Sequence, residues 1–339
     1  RMARELWPEW ELEQLDTEHP VMTCHHKLRR RLPGILHIHD GCRSRVLLFT
    51  KDMSCPWNYR LVRAHLPDFQ FGMNLARYAT DGRKIRDRLS LYKRPVLREL
   101  ASEGKPVPEP GASEATVTVA DYPTDGVRST AIRGMRHLAE LLDEASAVTM
   151  KRPVLEGHKI DGLNEAQVLH MSGLHTFSVS DENLAKLRAF VERGGLILAD
   201  AQCGREGFQE SFVRFVGKLA PGAELQPVPK DDPVLTGKGL SRDGFDVTRV
   251  EYKRALRVTQ FLPVLKEVRL DGRRVVLYSP YDLTVGLDGM DAWGCKGPVR
   301  NDCLKIAANV VLSALPADAE KTTESEPAEP ESSPEAPNP

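Results

Sequence analysis

The chain has 339 residues, 41% hydrophobic and 28% charged, with a formal net charge of −1. That length allows about two domains at ~150 residues each, and the composition is that of an ordinary soluble globular protein. The balanced charge argues against a general nucleic-acid binder, which carries a strong basic excess, and the apolar run Ile306 to Leu315 falls short of the ~20 residues that span a bilayer.

Residues 1–80 read as part of a domain that recurs later. Leu6-Trp-Pro-Glu-Trp-Glu-Leu12, then Leu15 and His19-Pro20-Val21, is answered by Leu219-Ala-Pro-Gly-Ala-Glu-Leu225, Val228 and Asp232-Pro233-Val234. Arg45 to Asp52 matches Arg274 to Asp282 with one residue missing in the turn, and Met73-Asn74-Leu75-Ala76 matches Ala308-Asn309-Val310-Val311. A domain-sized period of roughly 210–235 residues predicts two copies of one domain, the first lacking its front half. Arg rather than Met at position 1 fits a truncated start.

Residues 81–113 read as a connector. Asp81 to Arg98 is basic (Arg83, Lys84, Arg86, Arg88, Lys93, Arg94, Arg98) but lacks regular aromatic interleaving. It therefore reads as a solvated segment rather than a phosphate or lipid contact. Ala101 to Ser113, rich in Pro, Gly and Glu, continues it as a linker.

The complete copy is expected over 114–316. Ala115 to Ala120 is short and β-branched, a predicted strand. Ile132, Met135, Leu138, Ala139 and Leu142 recur at helical spacing. Val168 to Ser172 is a second strand. Ser180 caps a helix whose first turn holds Asp181 and Glu182, where acidic groups suit the dipole, and Gly194-Gly195 ends it. Leu196-Ile-Leu-Ala199 is a continuous apolar run, as in a strand covered on both faces. A helix over Phe208 to Leu219, a strand over Arg274 to Tyr278 and a closing helix over Asn301 to Leu315 complete the pattern. Strands alternating with helices predict an α/β three-layer sandwich around a mostly parallel sheet. From Ala317 onward the chain is Glu, Ser, Thr, Pro and Ala without a large apolar residue, and 317–339 is expected to be a disordered acidic tail.

In open parallel sheets the functional crevice lies beyond the carboxyl ends of the strands. That places Asp121, Tyr122 and Asp125 after the first strand, Gly173-Leu174-His175 after the second, Asp200 to Arg205 after the third, and Ser279 to Asp282 after the later one. Cys203 is the nucleophile candidate: it sits between a buried strand and a helix, beside Gly204 and Arg205, where a thiol pKa is lowered. His175 is its candidate base and Asp200 a candidate third member. This turn resembles that of class I glutamine amidotransferases, although Ala201 and Gln202 replace its small turn residues. A buried, space-filling Cys203 is the competing reading. Asp121, Tyr122, Gly173, Gly204, Arg205 and Asp282 are candidate ligand-binding residues. Asp52 and Asp282 share one place in the two copies, which fits a loop held by backbone N–H bonds as well as it fits chemistry. His19 in the first copy stands where the second has Asp232, and Trp57 with Tyr59 offers an apolar lip or buried packing. Asp121, His175, Asp200 and Asp282 offer hard oxygen ligands with one imidazole for a metal in principle, although no spacing demands one, and no cofactor motif is present. The six cysteines, at 24, 42, 55, 203, 295 and 303, form no Cys-x-x-Cys pair, and the expectation is free or buried thiols.

Several stretches together resemble a bacterial family, the domain of unknown function (DUF) 4159. They are Val168 to Phe177, Val191-Glu-Arg-Gly-Gly-Leu-Ile-Leu-Ala-Asp200, Cys203-Gly204, Phe208 with Phe212, Pro221 to Pro233, Tyr278-Ser-Pro-Tyr-Asp282, Cys295-Lys-Gly297 and Ala307-Ala-Asn309. The resemblance covers 114–316 and again 1–80. It implies flavodoxin-like, class I glutamine amidotransferase-like domains in tandem, often in exported or envelope-associated proteins, and carries no activity with it. The chain departs from the family in reading Gly173-Leu-His175 for Gly-His, and Asp200-Ala201 for Asp-Asp. Three functional expectations follow, one of them a scaffold that uses the basic connector and the acidic tail as contact segments; the other two involve the crevice. One is binding of a small molecule or protein partner in the strand-end crevice, with no nucleic acid and no membrane span in this stretch. The alternative is a cysteine-dependent amidase or hydrolase using Cys203 and His175.

Overall fold

A strand made of Leu196-Ile-Leu-Ala199 has no polar face and needs cover on both sides. In the computed structural model, which describes residues 11–28, 34–39, 42–80, 115–122, 124, 131, 133–153, 155, 160–289 and 292–316, it has that cover. Along β7 (Leu196–Ala201), Leu196 and Leu198 enter one apolar core while Ile197 and Ala199 enter another. The first core is closed by α4 (Gly134–Ser146) and α9 (Arg300–Ser313), the second by α5 (Asp181–Glu192) and α6 (Glu206–Leu219). The expected connector at 81–113, the tail at 317–339, the Leu6–Trp10 part of the repeat, Asp125 and Ile132 lie outside the described residues.

The sheet between these helices runs β5 (Val148–Lys151), β4 (Ala115–Asp121), β6 (Val168–Gly173), β7, β10 (Arg273–Ser279), β9 (Lys266–Leu270), β8 (Gln226–Pro227). Pairings from β5 to β10 are parallel; β9 and β8 add an antiparallel edge. The α/β class and mostly parallel sheet are as expected. Helix α5 starts as its sequence dictates, Ser180 Oγ accepting from Asn183 N at 3.3 Å, and stops at Gly194, whose φ of +114° suits glycine. Strands β5, β8 and β9 were not expected. Lys266-Glu-Val-Arg-Leu270 hides its strand character behind three charges, two of which, Glu267 and Arg269, pair with each other at 2.7 Å.

Residues 11–80 form a three-stranded antiparallel sheet, β1 (Glu13–Gln14), β2 (Ile35–His39) and β3 (Ser44–Phe49), with helices α1 (Pro20–Thr23), α2 (Ser54–Asn58) and α3 (Leu66–Ala79). The order β1, α1, β2, β3, α2, α3 is also the order of β8, α7 (Pro233–Thr236), β9, β10, α8 (Thr284–Asp288), α9. The correspondence reaches single hydrogen bonds. Leu15 N donates to Ile35 O and Val228 N to Leu265 O, both at 3.0 Å. Asn74 clamps His26 through its amide (2.7 and 2.8 Å), and Asn309 clamps Phe245 in the same way (both 2.7 Å) while also donating to Val234 O. With Ile35 set on Leu265, Leu48 opposite Leu36 falls on Tyr278 opposite Lys266, and Asp52 then meets Asp282 without a gap. The residue missing from the sequence match is therefore not missing; interchangeable apolar residues let the strands slide by one.

The two regions are joined covalently. Cys42 and Cys203 form a disulfide with Cα atoms 6.1 Å apart, which corrects the expectation of free thiols for this pair; Cys24, Cys55, Cys295 and Cys303 are free. Sequence reasoning missed the bridge because 161 positions separate its ends. Trp293 Nε1 also donates to Tyr78 O at 3.2 Å.

The Asn clamps satisfy buried main-chain groups that would otherwise cost about 1–3 kcal/mol each. Asn309→Ala is expected to destabilise the protein by about 3 kcal/mol or more, and Asn74→Ala by less, since it clamps one residue; urea unfolding measures both. Mass spectrometry of unreduced digests should recover a peptide joined through Cys42 and Cys203, and Cys42→Ser should lower stability by about 2–4 kcal/mol.

Candidate functional site

A cavity of about 910 Å³ opens beyond the carboxyl ends of β6 and β7, where Leu174-His175-Thr176 and Cys203 to Gly207 form one wall. Residues of the first region form the facing wall, with His19, His37, His39, Arg43 and Tyr78 among them, and Trp293 to Lys296 close one side. Of the residues expected at the crevice, His175, Cys203, Gly204 and Arg205 line it. Asp121, Tyr122, Gly173, Asp200 and Asp282 do not: Tyr122 is buried in the core closed by α5 and α6, and the other four have structural partners.

Asp282 is fully buried. Its Oδ1 accepts from Cys203 N and Val285 N, both at 3.1 Å; its Oδ2 accepts from Gly286 N at 3.0 Å and from Lys253 Nζ at 3.1 Å. The carboxylate thus starts α8 and holds the Cys203 main chain in a left-handed conformation, φ 54°, which a non-glycine residue adopts at a cost. Asp52 does a smaller version of the same work, accepting from Ser54 N and Cys55 N. Burial alone would lower the Lys253 pKa; the Asp282 carboxylate outweighs it and the pKa is raised. Lys253 Nζ also lies 3.4 Å from Cys295 Sγ, and burial first, then the Asp282 charge, push that thiol up to about 12. Cys203, Asp282 and Cys295 bring ligating atoms within 4.8 Å of one another, but the ammonium of Lys253 already balances the carboxylate and Cys203 is bonded to Cys42.

Gly173 packs: a Cβ there would meet Phe208 Cδ2 at 2.8 Å. Asp121 and Asp200 flank a residue that the sequence reading passed over, His170. It occupies an apolar-face position of β6 between neighbours on β4 and β7. Its Nδ1 lies 2.9 Å from Asp121 Oδ1, and its Nε2 lies 3.0 Å from Thr284 Oγ1 and 3.4 Å from Asp200 Oδ1. Asp121 also pairs with Arg152. Asp200 further accepts from Leu283 N, Thr284 N and Thr284 Oγ1. Burial would depress the imidazole, yet the two carboxylates hold it up at about 9; burial likewise works against the Asp121 carboxylate, but His170 and Arg152 bring it down to about 2. The signal in sequence was one polar residue in Val168-Leu-His-Met171, flanked in space by strand-end aspartates.

His175 makes no hydrogen bond to Cys203 among the described residues. Burial, with the charges of Arg205 and His39, lowers its pKa. With Cys203 in a disulfide and Asp200 engaged by His170 and α8, the three proposed catalytic residues do not form a triad in this structure. Trp57 packs on Gly72 and donates to Asp68 O at 3.2 Å, while Tyr59 is exposed; neither lines the cavity.

Across the cavity, His19 Nδ1 accepts from Val21 N at 3.1 Å and its Nε2 meets Ser44 Oγ at 2.9 Å. Ser44 Oγ also meets His37 Nδ1 at 2.8 Å. Burial and the neighbouring imidazoles bring His19 down to about 4. Glu13, His37 and His39 also bring ligating atoms within 4.8 Å of one another. No helix among the described residues is long and apolar enough to cross a membrane.

Two tests follow. His170 has a folded pKa above its ordinary 6.5, so its contribution is complete below that value and is lost as pH rises toward 9. Denaturant unfolding should show stability falling from pH 6.5 to 9 in the wild type and a flatter limb in His170→Gln; parallel limbs would refute the charged-histidine assignment. Lys253→Met leaves Asp282 buried and unpaired and should cost about 3–5 kcal/mol.

A family model described as Domain of unknown function (DUF4159) matches residues 116–315, the sheet, its helices and the loops on one wall of the cavity. No curated protein matches the chain. With more than half of its 339 residues under that model, the chain belongs to the DUF4159 family.

Proposed function

We propose that the protein binds a small polar ligand in the strand-end cavity. The cavity itself carries this reading: it lies where parallel α/β sheets bind ligands, its ~910 Å³ suits a small molecule, and its walls converge imidazoles, guanidinium groups and backbone from two regions. The matching element order, hairpin register and Asn clamps support reading 11–80 as carrying the carboxyl-half pattern of the same domain fold, paired with the copy at 114–316. The parallel sheet covered on both faces, with Cys203 at the strand-to-helix turn, supports a flavodoxin-like, class I glutamine amidotransferase-like form of that fold. The Cys42–Cys203 bridge suits an oxidising, exported or envelope setting.

One observation favours the second reading, a cysteine-dependent amidase. Cys203 holds a left-handed backbone between β7 and α6, the strained posture of a nucleophile turn, and would be competent only once its bond to Cys42 is reduced.

A thermal-shift panel of polar carboxylates, phosphates, amides and sugars separates the two. A ligand present at about 100 times its Kd stabilises by about 2.7 kcal/mol, on the order of 5–10 °C for a domain of this size. Binding predicts such a shift from some panel members and its loss in Arg205→Ala. No shift from any of them defeats the binding reading. Amide hydrolysis that appears on reduction and vanishes in Cys203→Ala establishes the second.

A further inference from the structure

The hairpin β2–β3 and the hairpin β9–β10 share one register, and four equivalent positions carry different chemistry. In the later hairpin those positions form a closed ion network. Arg274 reaches Glu267 (2.6 Å) and Asp232 (2.5 Å), and Arg269 reaches the same two carboxylates (2.7 and 3.1 Å). Two positive and two negative groups neutralise one another there. In the earlier hairpin Ser44 stands for Arg274, His37 for Glu267 and His39 for Arg269, and at the cap of the short helix before it His19 stands for Asp232. The connectivity persists: Ser44 Oγ meets both His37 and His19, and the His37 and His39 rings stack at 4.8 Å. The charges do not persist, and the cluster faces the cavity.

From these positions the geometry points to a divalent transition-metal site, of the zinc class, on Glu13, His37 and His39. Residues i and i+2 of a strand share a face, which puts His37 and His39 together on β2. Glu13 is the register partner of His37 on β1, so its side chain joins the same face. Their ligating atoms lie within 4.8 Å of one another, with His39 Nε2 and Glu13 Oε2 3.5 Å apart. Two tetrahedral ligands at 2.0–2.1 Å from zinc stand about 3.4 Å apart. The tautomers also suit a metal. Val21 N–H donates to His19 Nδ1, so neutral His19 carries its proton on Nε2 and donates to Ser44 Oγ. That hydroxyl has a second lone pair for His37 Nδ1–H, which presents His37 Nε2 as an unprotonated donor, and His37 Nε2 makes no hydrogen bond among the described residues. Such outer hydrogen bonds orient metal-binding imidazoles. Two imidazoles and one carboxylate leave coordination positions open, and on this wall they would be completed by water or by the occupant of the cavity. The metal's place in ligand binding rests on the cavity reading above; its presence does not.

The test is titration of the chelator-stripped full chain with zinc chloride by calorimetry, in a Cys55→Ser background that removes the exposed thiol. Wild type is expected to take up one ion per chain, His39→Ala and Glu13→Gln to lose that binding, and Ser44→Ala to weaken it by about 10- to 100-fold. His39 and Glu13 are only partly covered, so their variants should fold; circular dichroism checks this. Cobalt(II) in place of zinc should give a spectrum without an intense thiolate charge-transfer band. No uptake by folded wild type, uptake undiminished in both variants, or a thiolate band overturns the site. Zinc uptake lost in both variants while the panel shifts remain Arg205-dependent supports it. Zinc uptake in a protein that no panel compound stabilises also supports it, and defeats only the cavity reading.

Discussion

The buried carboxylate of Asp282 is the interaction on which the crevice depends. It stands at the end of a central strand, begins α8, holds the main chain of Cys203 and binds the ammonium of Lys253. A carboxylate stripped of water must fill its acceptor sites or become neutral, and here each partner is a piece of structure. The loop after β7, the loop after β10 and the segment around Lys253 are thereby fixed to one another. Gly297 completes the junction, because a Cβ there would lie 2.5 Å from Asp282 O.

Much of this frame was legible in the sequence. Leu196-Ile-Leu-Ala199 announced a strand covered twice, and Ser180 with its acidic first turn announced α5. Asn74 and Asn309 stood out in the sequence match, and the amide clamps they share, on His26 and on Phe245, give a structural reason. The one-residue slip in the strand match was not legible, because Val-Leu-Leu and Val-Val-Leu carry no register; hydrogen bonding does.

The candidate site was legible only in part. The rule that crevices lie beyond strand ends leads to His175, Cys203, Gly204 and Arg205, which line one wall of the cavity. It leads equally to Asp121, Asp200 and Asp282, which lie outside the cavity lining, because side-chain direction at a strand end is not written in the strand's position. Asp121 and Asp200 point to the face that holds His170, where they stabilise a charged imidazole. The opposite wall could not be read from any local pattern. It is brought in by tertiary packing across 161 positions, and the histidines on it are separated from His175 by more than a hundred residues.

That distance has a consequence for how the protein is made. Synthesis runs from the amino terminus, so Cys42 emerges long before Cys203 exists. During that interval its neighbours in the growing chain are Cys24 and Cys55, and a bond to either would have to be exchanged later. Oxidation that waits for β7 and its turn to form joins the correct pair directly, whereas earlier oxidation reaches it only through thiol–disulfide exchange.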